Sequence, residues 1–174
     1  NDRSELIAGK RFWDDWTPVS GQQFEYGYDP IGNRTVSRSG GNEYGQNLRE
    51  ATYGANELNQ YSVVTNSPYA QVTGFATATA SVSVNSSPAY ERDEYFHREV
   101  AVSNGLGPIA QSISAVASLT GTNATETGSL ILAKEEQDFT YDLDGNLTDD
   151  GIWSYEWDGE NRLGGTAMTN VANL

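Results

Sequence analysis

Two related stretches carry the main signal for the fold of this chain: FEYGYDPIGNR at residues 24–34 and FTYDLDGNLTD at residues 139–149. Both copies contain Tyr-Asp-x-x-Gly-Asn, which begins at Tyr28 in the first copy and at Tyr141 in the second. Internal repetition of this kind indicates a chain built from similar supersecondary units. It favours a scaffold over an enzyme, because structural repeats serve to stack against their neighbours.

Apolar and polar residues alternate before each copy of the motif, which predicts a β-strand with its aromatic side chains on one face. The motif itself has turn chemistry, since Gly32 tolerates positive φ and Asn33 accepts left-handed geometry. We therefore predict that Gly32 and Gly145 lie at hairpin tips. We also expect the carboxylates of Asp29 and Asp142 to accept hydrogen bonds from backbone N–H groups of these turns.

A second motif closes each copy: residues 53–61 read YGANELNQY and residues 155–163 read YEWDGENRL. Together the motifs resemble the tyrosine–aspartate (YD) repeat of the Rhs family, in which Tyr-Asp-x-x-Gly-Asn-Arg precedes Tyr-x-Tyr-Asp-x-x-Asn-Arg-Leu. The resemblance covers about residues 22–66 and 137–165 and implies β-hairpins coiled side by side into a large β-shell. The residues that match the repeat motif are Tyr28, Asp29, Gly32, Asn33, Tyr141, Asp142, Gly145, Asn146, Trp157, Asp158, Asn161 and Arg162.

The chain changes character at residues 62–134, where Ala, Ser, Thr and Val dominate and short alternating segments are separated by Gly, Pro or Asn turns. This pattern predicts a β-sandwich. Residues 80–85, followed by Tyr95 and Phe96, resemble small bacterial Ig-like modules. The predicted core of this sandwich consists of Val82, Val84, Phe96, Val100, Val102, Ile113, Leu119, Leu130 and Leu132.

The resulting prediction is an all-β chain in which YD-repeat hairpins flank an Ig-like β-sandwich. Residues 1–66 hold an N-terminal segment and the first hairpin, residues 67–134 form the insert, and residues 135–174 hold the second hairpin and a tail. Residues 39–49 are expected to be a loop. The sequence begins with Asn1 rather than Met and shows no signal peptide, so we expect a fragment of a longer extracellular or cell-surface protein.

The charge balance limits the classes of molecule that this chain is expected to bind. The chain has 24 acidic and 10 basic residues and a net charge of −14, which disfavours nucleic acid and anionic membranes. No apolar run approaches the ~20 residues of a membrane span, so no membrane insertion is expected. The sequence contains no Cys, which excludes disulfides and thiolate metal sites.

Asp142, Asp144 and Asn146 have the spacing of the first ligands of a calcium loop. Gly145 and Trp153 stand where an EF-hand needs other residues, and the first copy of the motif has no second Asp. A turn motif explains both copies, whereas calcium explains one. We therefore predict no metal site and no cofactor, with calcium at this loop left open.

The single histidine, His97, makes a Ser-His-Asp triad formally conceivable. It lies in an alternating segment without a nucleophile motif such as Gly-x-Ser-x-Gly. The sequence therefore predicts no catalytic residue and no enzyme activity.

The four tryptophans offer an alternative function, because flat apolar ring faces suit sugars. Trp13, Trp16, Trp153 and Trp157 would form such a ligand platform. The preferred function is a non-enzymatic structural segment whose partners are other repeats of the same parent chain. The alternatives are a carbohydrate- or protein-binding adhesive module, and a fibre subunit that self-assembles into a homo-oligomer through open β-edges.

Overall fold

The computed structural model describes residues 2–169 and 171–172, and within them the chain is all-β, as predicted, with seventeen strands. The strands before the insert are β1 (Ala8–Phe12), β2 (Pro18–Tyr28), β3 (Arg34–Gly40), β4 (Leu48–Ala55) and β5 (Tyr61–Thr65). The strands between Tyr69 and Leu132 are β6 (Tyr69–Phe75), β7 (Ser81–Val84), β8 (Ser87–Pro88), β9 (Tyr90–Arg92), β10 (Tyr95–Ala101), β11 (Ile109–Leu119) and β12 (Thr122–Leu132). The last strands are β13 (Glu136–Asp138), β14 (Thr140–Tyr141), β15 (Leu147–Asp149), β16 (Trp153–Trp157) and β17 (Leu163–Met168).

The first and last groups of strands form one antiparallel meander. The strand order is β1-β2-β3-β4-β5-β13 in one sheet and β14-β15-β16-β17 in another. Only Phe139 separates β13 from β14, and its backbone N–H donates to Ser62 O at 3.1 Å. The pairing therefore continues from β5 into the second sheet, and we call strands β1–β5 and β13–β17 together the hairpin ribbon.

Two adjacent chain segments connect the insert to the ribbon, and we call them the neck of the insert. β5 and β13 are antiparallel neighbours, with Thr65 opposite Glu136, and Asn66 N donates to Glu135 O at 2.6 Å. The Asn66 side chain also donates to Lys134 O at 3.1 Å and to Gln137 Oε1 at 3.0 Å. The two ends of residues 67–134 thus lie side by side, where a hairpin of the ribbon would otherwise have a tight turn.

Residues 67–134, which we call the insert, form two sheets that pack face to face. One has the order β6-β10-β9 and the other the order β12-β11-β7-β8. Val82, Val84 and Phe96 form the buried centre between them, with Val72 and Ile113 among the half-buried neighbours. Strand alternation explains this arrangement, because every second residue of each strand faces the opposite sheet.

The predicted core of the insert is buried only in part. Val82, Val84, Phe96 and Val102 are buried, whereas Val100, Ile113, Leu130 and Leu132 are half-buried. The prediction for Leu119 is wrong, because its side chain is 41 % exposed. It is the last residue of β11 and lines an open cleft between the two sheets.

The segment at residues 39–49 is more ordered than the sequence predicts. β3 continues to Gly40 and β4 begins at Leu48, so only a tight turn at residues 42–46 joins them. No helix among the described residues is long and apolar enough to cross a bilayer.

Candidate functional site: a row of hairpin tips and the base of the insert

The first repeat motif forms a five-residue turn at residues 29–33. Asp29 N donates to Asn33 O at 2.9 Å, and Gly32 N donates back to Asp29 O at 3.2 Å. The Asp29 Oδ1 atom accepts from Ile31 N at 3.0 Å and from Asn33 N at 2.9 Å. Gly32, the fourth residue, has a φ of 97°, where a side chain would be strained. The carboxylate thus closes the hairpin from inside the turn.

The second copy repeats this geometry at residues 142–146. Asp142 Oδ1 accepts from Asp144 N at 3.0 Å and from Asn146 N at 2.8 Å, and Gly145 has a φ of 88°. The Asn146 side chain donates to Asp142 Oδ2 at 3.0 Å, so both carboxylate oxygens are occupied within the turn. Gly32 and Gly145 therefore lie at equivalent hairpin tips, and the predicted roles of Asp29 and Asp142 are confirmed.

The closing motifs form the same turn with asparagine at the strained position. In the turn at residues 56–60, Asn56 Oδ1 accepts from Leu58 N at 2.9 Å and from Gln60 N at 3.0 Å, and Asn59 has a φ of 61°. Asparagine tolerates this left-handed conformation better than other non-glycine residues.

In the turn at residues 158–162, Asp158 Oδ1 accepts from Glu160 N at 2.9 Å and from Arg162 N at 3.0 Å. Asn161 has a φ of 59°, and Arg162 Nε donates to Asp158 Oδ2 at 2.8 Å. The motif residues Asp158, Asn161 and Arg162 therefore act together in one turn.

Side chains join these four turns into a continuous row, which we call the tip row (residues 29–33, 56–60, 142–146 and 158–162). Asn33 Nδ2 donates to Asn59 Oδ1 at 3.2 Å, and Asn146 Nδ2 donates to Asn161 Oδ1 at 2.9 Å. In both cases the fifth residue of one turn contacts the fourth residue of the next.

In the middle of the tip row, a hydrogen bond between the same two turn positions joins the first copy of the repeat to the second. Gln60 Nε2 donates to Gly145 O at 3.2 Å, which again joins a fifth residue to a fourth. The row therefore runs on past the point where the insert interrupts the chain.

Aromatic residues before the turns add a second set of links. Tyr141 Oη donates to Tyr61 O at 2.9 Å, and Trp157 Nε1 donates to Leu147 O at 2.7 Å. Each acceptor is the residue that follows the preceding turn. Tyr28 Oη makes the similar bond to Leu6 O at 3.1 Å, whereas Ala55 holds this position before the turn at residues 56–60.

The tip carboxylates are held in their charged form. Hydrogen bonds from the side chain and backbone of Asn146 keep the pKa of Asp142 below its usual value. Hydrogen bonds from Arg162 do the same for the pKa of Asp158. Burial alone would raise the pKa of Asp29, but hydrogen bonds from Asn33 outweigh it and lower that pKa. Hydrogen bonding to the charged form is the common cause.

Two turns at the opposite end of the ribbon share the backbone pattern of the tips, although neither contains the Asp-x-x-Gly-Asn motif. Residues 42–46 form one, in which Asn42 Oδ1 accepts from Gln46 N at 2.9 Å and Gly45 has a φ of 70°. Residues 13–17 form the other, with Trp16 at a φ of 64°. The signal available for the first was Asn-x-x-Gly-Gln, a variant of Asp-x-x-Gly-Asn.

The four tryptophans lie in two separate places. Trp13 and Trp16 belong to the turn between β1 and β2, whereas Trp153 and Trp157 belong to β16, at the other side of the strand order. Trp13 is half-buried, edge-on to Tyr95 with ring centroids 5.7 Å apart. The predicted four-residue platform is therefore not one surface.

The tryptophans also differ in exposure. Trp157 is half-buried and Trp153 is 37 % exposed, whereas Trp16 is 81 % exposed. The Trp16 ring lies near Phe12, with centroids 6.4 Å apart. Of the four, Trp16 presents the largest fraction of its ring to a ligand.

The base of the insert packs on the ribbon through buried polar groups. Ser20 Oγ and His97 Nδ1 are 2.7 Å apart, and His97 Nε2 lies 2.6 Å from Gln71 Oε1. Tyr95 Oη donates to Ser20 O at 2.6 Å. Ser20 is 1 % exposed and His97 is 7 % exposed, and both lie at the wall of an open cavity of ≈ 450 Å³. Burial lowers the pKa of His97.

An ion pair extends this contact. Gln71 Nε2 donates to Glu99 Oε1 at 2.7 Å, and the Arg49 guanidinium pairs with Glu99 while lying 3.7 Å from the ring centroid of Tyr69. Burial raises the pKa of Glu99, but the hydrogen bonds from Arg49 and Gln71 outweigh it and hold that pKa below its usual value. The ribbon and the insert are therefore joined by complementary polar groups as well as by packing.

The Ser20–His97 pair lacks the arrangement that nucleophilic catalysis needs. The second ring nitrogen of His97 faces the Gln71 amide rather than a carboxylate, so no third group of the triad type orients the ring. Within residues 2–169 and 171–172, no group of three His, Cys, Asp or Glu side chains is placed to hold a metal ion. The geometry of this contact fits a structural joint.

Comparisons with family models, with curated proteins and with solved structures found no match to this chain.

Proposed function

We propose that this chain is a non-enzymatic structural segment of an extracellular or cell-surface protein of the Rhs/YD-repeat type, in which it builds part of a β-shell or scaffold. The observation that carries the proposal is the tip row, where the fifth residue of each turn contacts the fourth residue of the next. A stacking scaffold requires hydrogen bonds between neighbouring repeats rather than contacts to a ligand. Its partners are accordingly other repeats of the same parent chain.

The last tip supports this proposal. Arg162 holds the position from which Asn33, Gln60 and Asn146 reach the next turn, and its side chain is 72 % exposed. β17 is the outer strand of its sheet. A further hairpin of the same kind would pair with β17 and meet Arg162.

Lengthening the ribbon tests the proposal. A second copy of residues 136–169, joined after Thr169 through an Asp-Gly turn, should raise the thermal midpoint while unfolding stays a single transition, because each added unit contributes a new interface. The control carries the same added residues in scrambled order. A separate second transition at an unchanged first midpoint would refute the proposal.

A second candidate, glycan binding, is favoured by Trp16. Its indole is 81 % exposed although its φ of 64° is strained for a bulky residue, and such strain often accompanies function. Stacking of a sugar on Trp16 beside Phe12 would be an adhesive role. A glycan array that detects binding by the native chain and by Trp153→Ala, but not by Trp16→Ala, would establish it; an array without any binding would remove it.

A further inference from the structure

The two sheets of the insert differ in width, which leaves part of the wider sheet uncovered. Three strands, β6-β10-β9, face four strands, β12-β11-β7-β8, and β6 and β12 are the outer strands on the open side. The buried residues Val82, Val84 and Phe96 belong to β7 and β10. Among the described strands, β12 pairs with β11 alone.

An open cleft of ≈ 970 Å³ lies between β6 and β12. Its floor includes Ile113, Ala115 and Ala117 of β11, which are only half-buried although β11 is a central strand. On the adjacent strand β7, Val82 and Val84 are buried. The apolar interior of the sandwich is therefore accessible from this side.

Both rims of the cleft are strand edges. β6 pairs with β10 on one side, and β12 pairs along its whole length with β11 on one side. Their outer backbone N–H and C=O groups have no strand partner among the described residues. An extended polypeptide satisfies such a periodic row of donors and acceptors, which a compact small molecule does not.

The side chains of the cleft define what the occupant must carry. Ala124, Glu126 and Gly128 alternate along the inner face of β12, so large apolar side chains would fit above its small residues. The two charged residues that line the cleft, Glu94 and Glu126, are both acidic. Charge complementarity therefore calls for a Lys or Arg on the occupant.

We propose that the cleft between β6 and β12 accepts an extended strand from another protein, which pairs with the edge of β6 and places alternate apolar side chains and a Lys or Arg over β12, opposite Glu126. The strand would widen the narrower sheet and cover the exposed part of the core. This role is independent of the scaffold role of the tip row.

The experiment uses the full chain and the blocked peptide Thr-Val-Thr-Leu-Thr-Lys-Thr-Val-Thr, with the same peptide carrying Glu in place of Lys as the charge control. Binding is followed by NMR. We expect the Lys peptide to bind at least about fivefold more tightly than the Glu peptide, and to slow amide exchange along β6. Absence of binding, or protection confined to the ribbon edges β1 and β17, would overturn the proposal.

Substitutions in the cleft sharpen the test. Glu126→Lys should reverse the preference between the two peptides, whereas Glu57→Lys, the same charge change on an exposed hairpin tip, should leave it unchanged. Ala124→Trp, at an exposed position, should block binding of both peptides while the chain stays folded. If Glu126→Lys and Glu57→Lys act alike, the occupant does not lie where we place it and the proposal fails.

Sedimentation of the chain alone distinguishes the source of the strand. We expect a monomer over the concentrations used for peptide binding. Self-association that is lost in Glu126→Lys but kept in Glu57→Lys would make the occupant a second copy of this chain, and would overturn the assignment to another protein.

Discussion

At the scale of single residues, the fourth position of each tight turn sets how easily a hairpin closes. Glycine fills it in Gly32, Gly45 and Gly145, and the left-handed conformation there costs glycine little. Trp16 occupies the same position with a φ of 64° and an exposed side chain. Strain at this turn is therefore not offset by burial of the indole.

Exchanging residues at this position should shift stability in opposite directions. Trp16→Asn should stabilise the chain by about 0.5–1 kcal/mol, and Gly145→Ala should destabilise it by about 1 kcal/mol, because non-glycine residues other than Asn pay roughly 1–2 kcal/mol in this region. Denaturant titration measures both changes. Asn161→Gly is the matched control and should differ little from the native chain. A destabilised Trp16→Asn would mean that the indole packs better than its exposure indicates.

The tip carboxylates predict a specific titration behaviour. The pKa of Asp142 should lie below 3.8 and should rise in Asn146→Ala, which removes the largest cause of its lowering. Because the folded-state pKa is the lower one, this carboxylate contributes stability above about pH 3.8 that is lost as the pH falls through the folded value. Carboxyl NMR titration of both chains gives the comparison, and an unchanged pKa in Asn146→Ala would contradict it.

At the scale of elements, the turns were predictable from sequence and their mutual contacts were not. Asp29, Gly32 and their counterparts have chemistry that is local to five residues, so the hairpin tips follow from the motif. The bond from Gln60 to Gly145 joins residues that are distant in the chain, and no local pattern encodes it. The turn at residues 42–46 was not predicted because its first residue is Asn instead of Asp and its fifth residue is Gln instead of Asn.

The aromatic link that is missing before the turn at residues 56–60 can be tested by restoring it. Ala55 precedes its turn as Tyr141 and Trp157 precede theirs, and those two side chains donate to the carbonyl of the residue after the preceding turn. For Ala55 the corresponding acceptor is the carbonyl of Arg34. Ala55→Tyr should stabilise the chain by about 0.5–1.5 kcal/mol through this hydrogen bond. Ala55→Phe carries the ring without the hydroxyl and measures packing alone. Equal stability of the two variants in denaturant titration would show that the hydroxyl finds no acceptor.

At the scale of the whole molecule, the insert and the ribbon are coupled through residues that no sequence pattern pairs. Ser20 lies in the first hairpin, whereas His97 and Glu99 lie in the insert, and Arg49 comes from β4. The alternation around His97 predicted a strand, and β10 is one. Which face of β10 meets the ribbon depends on how two sheets pack, and periodicity does not specify that.

Lowering the pH should weaken this joint. Because burial depresses the pKa of His97, the neutral ring contributes stability above about pH 6.5 that is lost as the pH falls through the folded value. Glu99 and Glu43 favour the charged ring and Arg98 opposes it, but burial is the largest cause. The thermal midpoint should therefore drop between about pH 7.5 and pH 5.

The matched variant is His97→Gln, which keeps an uncharged donor and acceptor at this position. His97 is the single histidine of the chain, so the variant should show a flatter dependence of the thermal midpoint on pH over the same range. Equal slopes for the native chain and for His97→Gln would show that another group sets the response.

The neck of the insert determines how the chain would respond to a pulling force. The ends of residues 67–134 leave two antiparallel neighbours, β5 and β13, and are held together by the bond from Asn66 to Glu135. A force applied to the two ends of this chain therefore passes through the ribbon and extends the insert only after β5 and β13 have separated. Until then the insert carries no load. The strands of the ribbon would separate first, and the insert would then unfold and lengthen the chain in a second step.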